Sequence, residues 1–214
     1  MNADEILKRY AAGERDFHET NLQEASLREA FLSHINLACA TLNEINLAFA
    51  DLSSANLIGA NIKNACLVMA QLNGANLTKA DLTFSRLTGA DMIHANLKNA
   101  NLSETKMIGV DLTAACLYGA NLIEANLIDA CLNNADFTEA NLTEAKLRGA
   151  SLKQANLKGA LLYEANLQDA DLREADLRGA NLSGAILCGA NLEGAKRDRE
   201  TNLSGAIHFF IRQV

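Results

Sequence analysis

Histidine and cysteine are the residues here most able to do chemistry, and their placement argues against a reaction centre. The histidines are His18, His34, His94 and His208; the cysteines are Cys39, Cys66, Cys116, Cys131 and Cys188. None has the close spacing that gathers several ligands on one zinc ion. A nucleophile is convincing when a base stands beside it and a third group orients the base, and no such trio stands out. The glycines recur at period five and do not form a phosphate-cradling loop. The sequence therefore predicts a non-enzyme with no cofactor, no metal and no catalytic residue.

What the chain has in abundance is a spacing. From Phe17 to Leu192 every fifth residue is large and apolar, and 31 of these 36 positions are Leu. The others are Phe17, Ile62, Met92, Met107 and Phe137. Two residues before each, and again at 195, 30 of 37 positions are Ala; the departures are Arg15, Thr20, Ile35, Ile45, Ser85, Thr105 and Val110. The unit is Ala-(Asn/Asp)-Leu-x-x, and a tandem array repeats a scaffold surface. Below, the Leu position is called central, and the two residues after it are the first and second turn residues.

Period five fits neither regular element. On a helix, positions five apart point about 140° away from each other. On a strand they face opposite sides. A short extended piece followed by a corner satisfies the pattern: Ala and Leu face inward, the Asn or Asp between them faces out, and two residues turn the chain. Eleven of the 13 glycines are second turn residues, where Asn64, Asn99 and Asn134 also fall. A type II turn needs a positive φ there, which glycine adopts freely and asparagine tolerates. A chain that turns every five residues winds into a solenoid. The outward Asn and Asp are expected to hydrogen-bond the corners.

The long tandem, as in Ala95-Asn96-Leu97-Lys98-Asn99-Ala100-Asn101-Leu102, resembles the pentapeptide-repeat proteins over roughly residues 15 to 195. The lead-in Tyr10-Ala11-Ala12-Gly13-Glu14-Arg15-Asp16-Phe17 is similar to that of cyanobacterial members. The resemblance implies an all-β fold, a right-handed quadrilateral β-helix with four units per coil, hence about nine coils. At about 4.8 Å between stacked strands the rod would be roughly 40 Å long.

With four units per coil, residues 20 apart share a face. The face of Leu22 carries seven acids against Lys63; that of Leu32 has six acids against Lys153 and Arg173. The Leu27 face holds three acids and five bases, and the Phe17 face is nearly balanced. Glu104, Glu124, Glu144 and Glu164 take one slot in four successive coils, a candidate recognition strip for a basic partner. Phe49, Val68 and Met69 form a candidate apolar contact on the Leu27 face, with Ile108 and Ile128 further along; contiguous apolar patches often mark interfaces. His34 and His94 share a column but stand about 14 Å apart, and His18 and Cys39 lie on one face without an orienting third group.

The bulk properties agree with a folded array. Apolar content is 49 %, with no Trp and a net charge of −7. That charge, without a basic stripe interleaved with aromatics, argues against direct nucleic-acid binding. No run of 18 apolar residues spans a membrane, and the first residues lack a secretory pattern. An odd number of cysteines predicts free thiols in a reducing compartment, and thus a cytoplasmic protein.

The chain divides into an N-terminal helical cap at 1–14, the array at 15–195, and a 196–214 segment. That last segment holds a charged loop with one extra residue, a shifted repeat at Thr201–Gly205 and an apolar tail. Ile6, Leu7 and Tyr10 at helical spacing, behind Asp4 and Glu5, predict the short capping helix. Phe209, Phe210 and Ile211 either fold over the last coil or make a homodimer. The expected function is a rigid, non-catalytic scaffold for an unidentified protein partner. The alternative, implied by the resemblance, is a DNA mimic that binds or protects DNA gyrase. Gyrase-protecting members that confer quinolone resistance carry projecting loops, whereas this array has no insertion between residues 17 and 192.

Overall fold

The computed structural model describes residues 1–207 and forms a solenoid in which each unit contributes one bridging residue and one tight turn. Parallel bridges join residues 20 apart without interruption, from Asp16–Asn36 to Asp176–Lys196, so four units close each coil. The extended pieces are too short to count as strands; each bridge is isolated.

Hydrogen bonding explains why five residues suffice. The central amide donates to the next coil, as Leu97 to the Cys116 carbonyl at 2.7 Å, and so does that of the second turn residue, as Asn99 to Tyr118 at 2.9 Å. The amide before the centre donates to the coil behind, as Asn96 to Ala75 at 2.9 Å. The Ala amide closes the turn, as Ala100 to Leu97 at 3.0 Å. One amide is left, that of the first turn residue, and in most units the outward Asn or Asp accepts it. Lys98 donates to Asn96 Oδ1 at 3.1 Å and Ser53 to Asp51 Oδ1 at 2.9 Å. The expected corner role of the Asn and Asp row is what the structure shows. Some also ladder between coils, as Asn56 Nδ2 to Asn36 Oδ1 at 2.9 Å.

All 36 second turn residues have positive φ, and 25 of them are not glycine. Their left-handed geometry disfavours a Cβ by about 1–2 kcal/mol per residue. The inter-coil bond of the same residue holds it there, so the array imposes the turn whatever the side chain.

Leu and Ala stack in a continuous core, with every central residue from Leu32 to Leu182 no more than 1 % exposed. Among the described residues Ser85 and Thr105 are the two buried polar ones. Ser85 Oγ donates to the Ile62 carbonyl at 2.6 Å and accepts from the Ala65 amide at 3.0 Å. It thus inserts into the turn that those two groups close elsewhere. Thr105 Oγ1 donates to the Leu102 carbonyl at 2.6 Å.

At the N-terminal end, helix α1 (Ala3–Ala11) begins on Asn2, whose side chain accepts from the Glu5 amide at 2.8 Å. Its Ile6 is fully buried in the core cluster, and Tyr10 Oη donates to the Ser33 carbonyl at 2.8 Å. Leu7, which shares the predicted helical pattern, is exposed. At the other end, Arg197 falls where Leu belongs, and one extra residue shifts the next bridge to Asn181–Asn202. Asp198 repairs the break. Its Oδ1 accepts from the Gly179 amide at 3.0 Å, replacing the carbonyl that a regular coil would offer, and also from the Thr201 amide. Leu192 and Leu203 are half-buried, and Ile207 is 45 % exposed. The expectation for Phe209, Phe210 and Ile211 lies outside the described residues.

Candidate interaction surfaces

Each unit presents three outward positions: the residue before the centre and the two turn residues. The structure brings Glu104, Glu124, Glu144 and Glu164 together. All four are exposed second turn residues with φ between 53 and 57°, and their amides donate up one column of carbonyls, from Ile123 to Ser183. The column ends beside an exposed apolar pair, Leu161 and Tyr163. Hydrogen bonding to Glu164 holds the Tyr163 hydroxyl above its usual range.

The second predicted group also assembles. Phe49 and Met69 are 45 % and 51 % exposed, and Val68 between them is half-buried. The Arg28 guanidinium lies 4.5 Å from the Phe49 ring centre, a cation–π contact that covers one end. Met69 leans over Gly89, where a Cβ would stand 2.5 Å from its sulfur. A Cβ at Gly89 would push this flexible side chain aside.

Sequence reasoning missed other exposed groups. Phe31 is 80 % exposed in an Asn/Asp slot, and Phe84 is 50 % exposed at the head of the Glu column. Their signal was available as large residues in outward slots. It also missed two carboxylates, each held between cations of successive coils. Asp171 contacts Arg173 Nη2 at 2.8 Å and Lys153 Nζ at 3.3 Å; Asp176 contacts Arg178 at 2.6 Å and Lys158 at 3.4 Å. The arginine hydrogen bonds lower Asp171 to about 2 and Asp176 further still. Lys153 and Arg173 line a shallow groove with Asn133, Gln154 and Glu174, and Lys158 and Asp176 line another with Gln154 and Glu174, so charges in both already answer one another.

The groups considered first for chemistry stay apart. His18 Nδ1 meets Asp16 at 2.9 Å in the open, which raises the imidazole and lowers the carboxyl. Among the described residues no cluster of His, Cys, Asp and Glu could hold a metal ion. The five cysteines are free thiols, of which Cys39 is exposed. Among the described residues no helix is long and apolar enough to cross a membrane.

A family model described as pentapeptide repeats matches in eight copies, over residues 16–53, 40–78, 75–114, 120–159, 140–179 and 155–194. Among solved structures the chain is similar to HetL from the cyanobacterium Nostoc sp. strain PCC 7120, a pentapeptide repeat protein involved in heterocyst differentiation regulation. The two are 38 % identical with a TM-score of 0.95, over 97 % of this chain and 92 % of HetL. A trypsin-treated form of QnrB1, a plasmid-mediated fluoroquinolone resistance protein, matches 91 % of each chain with a TM-score of 0.63 and 16 % identity. That likeness is one of fold alone. No curated protein matches the sequence.

Proposed function

The chain belongs to the pentapeptide-repeat family, and from that premise we propose that it is a non-catalytic scaffold, a rigid rod that binds a protein partner in the cytoplasm. In this reading the rod is a right-handed quadrilateral β-helix of nine coils, and α1 shields its first coil from edge pairing. One observation carries the proposal. The coil consumes most backbone hydrogen-bonding groups and the Leu and Ala side chains, so the molecule offers flat, chemically distinct faces rather than a cleft. The likeness to HetL supports a regulatory role acting through contact. A photo-crosslinking residue at Thr78, Thr143, Thr88 or Thr113 samples each of the four faces in turn. A single protein adduct recurring from one face is the expected result, and no adduct from any face would remove the scaffold reading.

A second reading, mimicry of DNA towards gyrase, draws on the assembled Glu column. The unbroken bridge series, with no loop projecting from it, weighs against it. If the column imitates phosphates, the protein should alter gyrase supercoiling in a strongly salt-dependent way. Converting Glu104, Glu124, Glu144 and Glu164 to Gln should then abolish the effect. No change in supercoiling at micromolar protein would dismiss it.

A further inference from the structure

In most units the first turn amide is taken up by the outward Asn or Asp two places earlier. On the Leu27 face three successive units lack that acceptor, because Cys66, Arg86 and Lys106 occupy the slot. The amides of Val68, Thr88 and Ile108 then find no acceptor among the described residues. The next in the column, Ile128, donates to Asn126 Oδ1 at 3.3 Å in the regular way. Among the described residues no other face leaves three such amides in successive coils. Exposed Arg86 and Lys106 stand in the same units, and neither pairs with a carboxylate among the described residues.

The surroundings depart from the array at the same place. Ser85 and Thr105 replace Ala inside these two units, and Gly89 and Gly109 leave the second turn position bare. Phe49, Met69 and Ile108 are exposed alongside. The face is also the one with a surplus of bases, five against three acids, on a chain of net charge −7. An acidic partner is drawn to it and repelled by the rest.

We propose that this strip, from Val68 to Ile108 on the Leu27 face, docks an acidic amphipathic helix of a partner protein. The amides stand about 4.8 Å apart along the rod. A helix laid along it rises about 5.4 Å per turn, so carboxylates at i, i+4 and i+7 meet the three amides nearly in step. Each amide donates to a carboxylate that Arg86 or Lys106 neutralises, a charge-assisted arrangement. The helix's apolar side chains lie on Phe49, Met69 and Ile108. An extended peptide repeats on one side every ~6.6 Å and falls out of step.

The inference rests on the scaffold reading, and its test separates the two. The probe is a synthetic helical peptide of about five turns with Glu at i, i+4 and i+7 and Leu between them, titrated into isotope-labelled full-length protein. Saturable shifts of the Val68, Thr88 and Ile108 amides are expected. The Arg86→Asn/Lys106→Asn variant supplies acceptors for the Thr88 and Ile108 amides and so keeps the fold, yet it should weaken binding at least tenfold. Shifts confined to other faces, binding unchanged in the variant, or tighter binding of an oligonucleotide at the same amides would overturn the proposal. A crosslinked partner that reacts from Thr143 and never from Thr88 also overturns it while leaving the scaffold standing; no adduct on any face removes both.

Discussion

At the scale of single residues, the array shows what a side chain does when the backbone has already decided its conformation. Ala114 sits at φ 55° in a slot that glycine fills in eleven other units. Gly109→Ala should therefore cost only about 1 kcal/mol, since a Cβ there meets nothing within 4 Å. Gly189→Ala should cost more, because its Cβ would meet the Asp169 carboxylate and displace it. Urea melts of the two variants measure the difference, and equal costs would show that φ alone matters. Ser85 offers a sharper case. Removing a buried hydroxyl normally costs about 1–3 kcal/mol when its partners are left unpaired. Here the Ala65 amide and Ile62 carbonyl can close on each other as in other turns. Ser85→Ala is expected to cost less than about 1 kcal/mol; a larger loss would mean the turn is held open by its surroundings.

At the scale of the repeating unit, stability comes from stacked copies. Leu97 is wholly buried between coils whose backbones are hydrogen-bonded above and below. The cavity left by Leu97→Ala cannot collapse along the rod, so a loss of about 2–5 kcal/mol is expected by chemical denaturation. A loss below about 0.5 kcal/mol would contradict an inward Leu row.

The ion pairs that tie one coil to the next give a pH dependence. Asp171 holds its charge more readily folded than unfolded, so its contribution is complete above about pH 4. It is lost as pH falls through about 2. Asp171→Asn keeps a side-chain oxygen for the Arg173 amide and removes the charge. The variant's denaturation midpoint should fall less steeply than that of the parent between pH 4 and 2. Parallel curves would show that the pair adds nothing to folding.

At the scale of the molecule, the two ends differ. The first coil lies under Ile6 of α1, while Leu192 and Leu203 near the other end are half-buried. The sequence offers Phe209, Phe210 and Ile211 two roles, folding over the last coil or making a two-fold dimer that extends the rod with the same patch used on both copies. Light scattering on the full chain and on a version ending at Gly205 checks this. A monomer in both removes the tail as an interface. A dimer that survives truncation moves the contact to Phe49, Val68 and Met69.

The five-residue period by itself determined that Leu and Ala face inward, that the chain turns after every centre, and that the Asn and Asp row serves the corners. Each of these follows from local sterics and hydrogen-bonding needs that repeat in every unit. The resemblance supplied the four-unit coil, and with it the Glu104–Glu164 column. The tertiary structure alone decided what depends on contacts between coils. Glutamate, phenylalanine and methionine take the glycine conformation because a bond to the next coil holds them there. Ser85 opens a turn twenty residues away, and Asp198 substitutes for a carbonyl at the break. The amides of Val68, Thr88 and Ile108 stand free as a column only because the winding stacks three exceptions that lie twenty residues apart in the chain.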